Sequence, residues 1–134
     1  MNANVYTVRI KDETASGKIL NDITISLKNE IVTIKEIITA RVISEVDDYN
    51  SKKSDYFNGL IQPTDAEKTL NGFKMMQKKY IDPEKQVYIA LDAFLTNGYF
   101  VLVDDRQASS LDEQVLVEKS TTVSFVKLTP LVGG

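Results

Sequence analysis

Apolar and polar residues alternate at both ends of the chain, and helical spacing governs the middle. In Val5-Tyr-Thr-Val-Arg-Ile10, Tyr6, Val8 and Ile10 alternate with Thr7 and Arg9. After a polar turn around Ala15-Ser-Gly17 the alternation resumes from Ile19 to Lys28, with Ile23, Ile25 and Leu27 opposite Thr24, Ser26 and Lys28. Successive side chains of a strand point to opposite faces, so two period-two runs about a glycine-containing turn predict a β-hairpin.

A helix is predicted next. Thr33 with Glu36 three residues on forms a capping box, and Val32 before it can staple onto Ile37. Ile34, Ile37, Ile38, Val42, Val46 and Tyr49 then recur at helical spacing and define one apolar stripe. Lys35, Arg41, Glu45 and Asp48 are assigned to the outer face, and the pattern fades at Asn50-Ser-Lys-Lys-Ser54.

Residues 51–82 are the least regular. Tyr56-Phe57-Asn-Gly-Leu-Ile61 is apolar without a clean period. Thr64-Asp-Ala-Glu67 reads as a second capping box opening a short helix, with Leu70, Phe73 and Met76 on one side. Gly72 would weaken that helix by about 1 kcal/mol relative to Ala. Asp82-Pro83 supplies an N-cap followed by proline at the first helical position. Val87, Ala90, Leu91 and Phe94 give this last helix its stripe, and Asn97-Gly98 its C-cap.

The last third returns to strands. Tyr99 to Val103 is continuously apolar, which predicts a strand covered on both faces. Asp104-Asp105 is a turn, Ser110-Leu-Asp-Glu113 a short connection and Val115-Leu-Val117 a brief strand. Glu118-Lys-Ser120 turns the chain into a final strand, Thr122 to Leu128. There is no internal repeat.

Composition narrows the chemistry. At 134 residues one domain is expected, and a domain of this size buries roughly 68% of its unfolded surface, so a real core is available. The 16 basic and 19 acidic residues leave a net charge of −3, which gives no footprint for nucleic acid. No apolar run approaches a membrane span, and Met1-Asn-Ala-Asn-Val lacks the segments of a secretory signal. Cysteine and histidine are both absent. That excludes disulfides, a thiolate nucleophile and imidazole chemistry, and leaves only carboxylates for a metal. The reading is a cytoplasmic protein that is not itself an enzyme and binds no cofactor or metal. Asp104-Asp105 is taken as a turn former, and Lys52-Lys53 and Lys78-Lys79 as solvated faces or acceptor lysines.

With residues 51–82 set aside, the order is hairpin, capped helix, strand, short strand, long strand, tail. A helix stripe needs a sheet face to cover, and one mixed sheet beneath the first helix satisfies it. The first and last strands then lie side by side at the centre, joined by a right-handed crossover. This is the α+β layout of a β-grasp fold.

Specific residues also carry a resemblance. Phe100-Val-Leu-Val-Asp-Asp-Arg-Gln107, Ser110-Leu-Asp-Glu113, Ser120-Thr-Thr-Val-Ser-Phe-Val126 and Leu131-Val-Gly-Gly134 together resemble the carboxy-terminal half of ubiquitin-like proteins. Pro130-Leu-Val-Gly-Gly is similar to the tails of the sulfur carriers of molybdopterin and thiamine synthesis. The hairpin and the Thr33–Asn50 helix resemble the amino-terminal half more loosely. The chain departs from both groups in its extra length and in having Thr129-Pro-Leu-Val where ubiquitin carries alternating arginines. The closest overall resemblance is to bacterial ubiquitin-like proteins encoded beside activating and conjugating enzymes. It implies a ubiquitin-like β-grasp domain at 1–128, with a helical insertion and extra helix at 51–97, and a flexible diglycine tail at 129–134.

The tail would supply the chemistry. A carboxylate resists nucleophiles until ATP converts one oxygen into a leaving group, and an activating enzyme must position it for that step. Gly133 and Gly134, without Cβ atoms, would let the tail lie flat in a narrow slot. Pro130 fixes its own φ and keeps Thr129 extended, and Leu131 and Val132 would dock in the activating enzyme's groove. The resemblance implies these partners: a ubiquitin-activating-like adenylating enzyme that uses ATP, a conjugating-type enzyme, a target protein and a deconjugating protease. Two alternatives stand beside a protein modifier. One is a sulfur carrier with a thiocarboxylate at Gly134, and the other is a structural β-grasp interaction domain. Thirty residues beyond the small carriers favour the modifier, which several partners must recognise.

Overall fold

The computed structural model describes residues 5–52, 56–64, 66–69, 72–75 and 80–128. It is an α+β protein with a mixed sheet and two helices. Two compact units divide it, Met1–Ile37 with Ala93–Gly134, and Ile38–Asp92. The division falls inside both helices, α1 (Ile34–Lys52) and α2 (Pro83–Leu95).

The first unit is built on a five-stranded sheet. The predicted hairpin forms from β1 (Tyr6–Thr14) and β2 (Ile19–Leu27), with Val8 opposite Ile25 and Ile10 opposite Ile23. Val8, Ile10, Ile25 and Leu27 turn one face inward and are buried. Ile19 and Ile23 stay exposed, so the apolar row of β2 is covered only along its carboxy-terminal half. The short β3 (Ile31–Thr33) pairs antiparallel with β9 (Gln114–Leu116) in a separate two-stranded sheet. The large sheet also takes in β7 (Tyr99–Val103), β8 (Arg106–Gln107) and β10 (Thr122–Lys127), in the order β2-β1-β10-β7-β8. β10 runs parallel to β1 and antiparallel to β7. The first and last strands are therefore neighbours inside the sheet, as the element order requires.

β7 departs from expectation. Tyr99, Val101 and Val103 are buried, but Phe100 and Leu102 are only half-buried, so its two faces are unequally covered. Its apolar run fills both rows of a central strand, and one row still meets solvent. Asp104 and Asp105 make the β7–β8 turn with φ of 48° and 69°. Two consecutive left-handed residues select turn formers such as Asp, and suit a tight hairpin. The Asp104 carboxylate accepts the Thr122 N–H at 2.9 Å, and the Asp104 N–H donates to the Thr122 carbonyl at 2.9 Å.

The capping box of α1 is present: the Glu36 N–H donates to Thr33 Oγ1 at 3.1 Å and the Thr33 N–H to Glu36 Oε1 at 3.4 Å. Two further amino-terminal N–H groups, those of Ile34 and Lys35, reach the carbonyls of Glu113 and Leu111, each at 3.0 Å. Helix starts leave such donors orphaned, and here a loop satisfies them. All six residues of the predicted stripe are buried.

Arg41 overturns its assignment to the outer face. It is 1% exposed, with its Nε donating to Glu45 Oε1 at 2.5 Å. Glu45 Oε2 accepts the Leu60 N–H at 3.0 Å. Leu60 therefore reaches this side of the helix, and the guanidinium is admitted because a carboxylate one turn on accompanies it.

In the second unit the short helix expected from Thr64 is replaced by sheet. β4 (Tyr56–Phe57), β5 (Ala66–Thr69) and β6 (Gly72–Met75) form an antiparallel sheet in the order β4-β6-β5. The cause is at Gly72, whose φ of 119° has no place in a right-handed helix. A Cβ there would sit 2.3 Å from Asn58 Oδ1. Phe73 faces Phe57 across the β4–β6 pair, with ring centroids 6.4 Å apart, and Tyr49 meets Phe57 edge-on at 5.8 Å. The described residues of the insertion at 51–97 thus form a small sheet followed by one helix. Leu70 and Met76 lie outside the described residues.

The α2 boundaries follow their signals. Asp82 caps the start through Oδ1, which accepts the Glu84 N–H at 3.0 Å. At the other end Asn97 takes φ 61° and the Gly98 N–H reaches the Ala93 carbonyl at 2.7 Å. Of the predicted stripe Ala90 and Phe94 are buried, whereas Val87 and Leu91 are half-buried. Asn50 fastens the end of α1 to the residue before α2's cap, exchanging hydrogen bonds with both the N–H and the carbonyl of Ile81. Among the described residues no helix is long and apolar enough to cross a membrane.

Candidate functional site

Because β1 and β10 are parallel, their carboxy-terminal ends reach the same edge of the sheet. β1 leads there into the hairpin turn, and β10 leads to Leu128. The last ladder partners of Lys127 are Thr14 on β1 and Tyr99 on β7. Past them, β1 has turned away and β7 has not begun.

Local hydrogen bonds hold the surroundings of this exit. The Thr14 N–H donates to the Lys18 carbonyl at 2.9 Å and the Gly17 N–H to the Thr14 carbonyl at 2.9 Å. The Lys18 N–H donates to Thr14 Oγ1 at 3.0 Å. On the other flank Tyr99 is buried, with its ring 5.8 Å from Phe125 and 6.2 Å from Phe94. Below the exit lies Asp12, 1% exposed on the inward row of β1. Asn21 Nδ2 donates to Asp12 Oδ2 at 3.1 Å, and Lys127 Nζ stands 3.9 Å from the same oxygen, at ion-pair distance. Leu128, the last described residue, is exposed.

The sequence-predicted site residues Thr129, Pro130, Leu131, Val132, Gly133 and Gly134 lie outside the described residues. Of the lysines singled out, Lys52 is exposed and ion-paired with Asp48 at 3.0 Å. Lys53, Lys78 and Lys79 lie outside the described residues.

The outward row of the same hairpin carries another pair. Arg9 Nε donates to both carboxylate oxygens of Asp22, at 2.9 and 3.1 Å, and its Nη2 also bonds Asp22 Oδ2. Those bonds hold the Asp22 carboxyl below its ordinary range and raise the Arg9 guanidinium. The pair is exposed, which limits its value. Among the described residues no three carboxylates gather where a metal could be held. A groove of about 220 Å³ in the second unit is lined by Pro63, Met75, Tyr80, Ile81, Asp82 and Lys85. Asp82 is already committed to capping α2.

Reading by pattern stopped the first strand at Ile10 and so missed Asp12. Parity was the available signal: Val8, Ile10 and Asp12 occupy one row, and a carboxylate at the third inward position is out of character for a core. Comparisons with protein families, with curated proteins and with solved structures found no match.

Proposed function

We propose that residues 1–128 form a ubiquitin-like β-grasp domain and that the chain acts as an acyl donor through Gly134. The observation that carries this reading is the parallel β1–β10 pair inside the mixed sheet. β10 is an inner strand that ends beside an exposed Leu128, and in the sequence Thr129-Pro-Leu-Val-Gly-Gly follows that residue. In this reading a Gly134 carboxylate, terminal by synthesis or by trimming, attacks the α-phosphorus of ATP on an adenylating partner. The C–O–P linkage forms and pyrophosphate leaves. A thiol or hydroxyl of the partner then attacks the acyl carbon, AMP departs, and the acyl group passes to an amine or hydroxyl of a target protein. The chain is a substrate in these steps and acts in the cytoplasm, with a conjugating-type enzyme and a deconjugating protease as further partners. The insertion at 51–97 serves recognition by those partners, which a small sulfur carrier does not need.

The test uses the chain ending at Gly134 and its cognate adenylating enzyme. ATP–pyrophosphate exchange should depend on the chain and vanish when Gly134 is deleted, with the melting temperature unchanged. Exchange that survives the deletion refutes the reading. Intact mass of the chain from its native host separates the sulfur-carrier alternative, in which one terminal oxygen is replaced by sulfur, from covalent adducts with proteins.

A further inference from the structure

The inward row of β1 reads Val8, Ile10, Asp12, and all three residues are buried to the same degree. An apolar residue would complete that row at least cost, because a carboxylate taken out of water must be compensated by donors or cations. Asn21 and Lys127 both supply such compensation. Asn21, the ladder partner of Asp12 on β2, donates to Oδ2 from one side. Lys127 approaches Oδ2 from the other, two residues beyond Phe125, the partner of Asp12 on β10. The Lys127 side chain is 28% exposed and that of Asp12 1%, so the pair sits where core gives way to solvent.

Placement along the strand gives the pair its meaning. Nearer the middle of the sheet, Ile10 and Val123 are ladder partners, both fully buried and apolar. At Lys127 the ladder ends, because neither β1 nor β7 continues beside the next residue. A side-chain ion pair at this position resists fraying of the strand's last residue. We infer that Asp12 and Lys127 form a clamp at the root of the C-terminal segment, fixing the direction in which the chain leaves β10. This rests on the acyl-donor reading for its purpose, since a partner that must thread the segment gains from a fixed exit.

Amide hydrogen exchange of the full chain tests the clamp without any partner. Asp12→Asn keeps the shape and removes the charge, and Lys127→Met keeps the stem and removes the ammonium. Each should speed exchange at Val126, Lys127 and Leu128 by about tenfold, with Ile10 and Val123 unchanged, because local opening is decoupled from the core. The double variant should match either single. Unchanged exchange at 126–128, or acceleration spread evenly over the sheet, overturns the clamp. With the adenylating enzyme, both variants should raise KM several-fold and leave kcat in place. A fall in kcat at constant KM would overturn the aiming role. An unmodified chain that fails to be activated at all would sink the acyl-donor reading, and the amide-exchange arm would still decide the clamp.

Discussion

Removing the Glu45 carboxylate should be among the most damaging single changes in the second unit. Glu45 accepts from Arg41 Nε through one oxygen and from the Leu60 N–H through the other, and the side chains are 9% and 2% exposed for Glu45 and Arg41. Glu45→Ala leaves a buried guanidinium without this carboxylate, a change that costs about 3–5 kcal/mol in comparable buried pairs. The orphaned Leu60 N–H would cost about 1–3 kcal/mol by itself. Both losses flow from one carboxylate, and water entering the gap serves both, so the expected total is about 3–4 kcal/mol. With a urea m-value near 2 kcal/mol/M, the midpoint should fall by about 1.5–2 M. Arg41→Met with Glu45→Leu together removes both charges and keeps apolar volume. That double variant should lose less than Glu45→Ala alone, because no guanidinium is left buried without this carboxylate. Urea unfolding followed by circular dichroism measures all of these. A midpoint loss below roughly 0.5 M for Glu45→Ala, or a double variant costing the sum of the singles, would refute the argument.

Two further outcomes concern the hairpins. Asp22 should titrate below the ordinary carboxyl value near 3.9, chiefly through its hydrogen bonds from Arg9. Its small stabilising contribution is present above the unfolded-state value and lost as pH falls through the folded one. Carboxyl chemical shifts should show the Asp22 midpoint rising in Arg9→Ala, and an ordinary midpoint in the unmodified chain would contradict the pairing. Gly72→Ala should lower stability by about 1–3 kcal/mol, since a Cβ meets Asn58 Oδ1 at 2.3 Å on top of the strained φ. Gly17→Ala meets only the backbone penalty, because the space around Gly17 is open, so equal urea midpoints for the two variants would disprove the steric part.

Much of the first unit was legible in the sequence because its signals were local. The β1–β2 alternation, the Thr33–Glu36 box and the Asn97–Gly98 stop each act over a few residues, and each formed as read. The parallel pairing of first and last strands was legible one level up, from the order of elements. Residues 64–75 were misread because Thr64 and Glu67 fit a capping box while Asn71-Gly72, a strong hairpin dipeptide, was weighed only as a weak spot in a helix. Arg41 was misplaced for a different reason. A stripe predicts which side of a helix is apolar, but cannot show that Leu60, fifteen residues beyond Glu45, reaches the other side. Asp12 needed the parity of β1 extended by two residues, and its partner Lys127 lies at the far end of the chain.

That distance shapes how the protein must be made. β1 leaves a ribosome long before its partner β10, so the nascent sheet waits with one side of β1 open until residue 127 has cleared the exit tunnel. Contacts this remote in sequence slow folding, because the loop must close before they form. A product truncated before β10 lacks an inner strand and is exposed to proteolysis. Folding therefore selects for chains translated at least through β10.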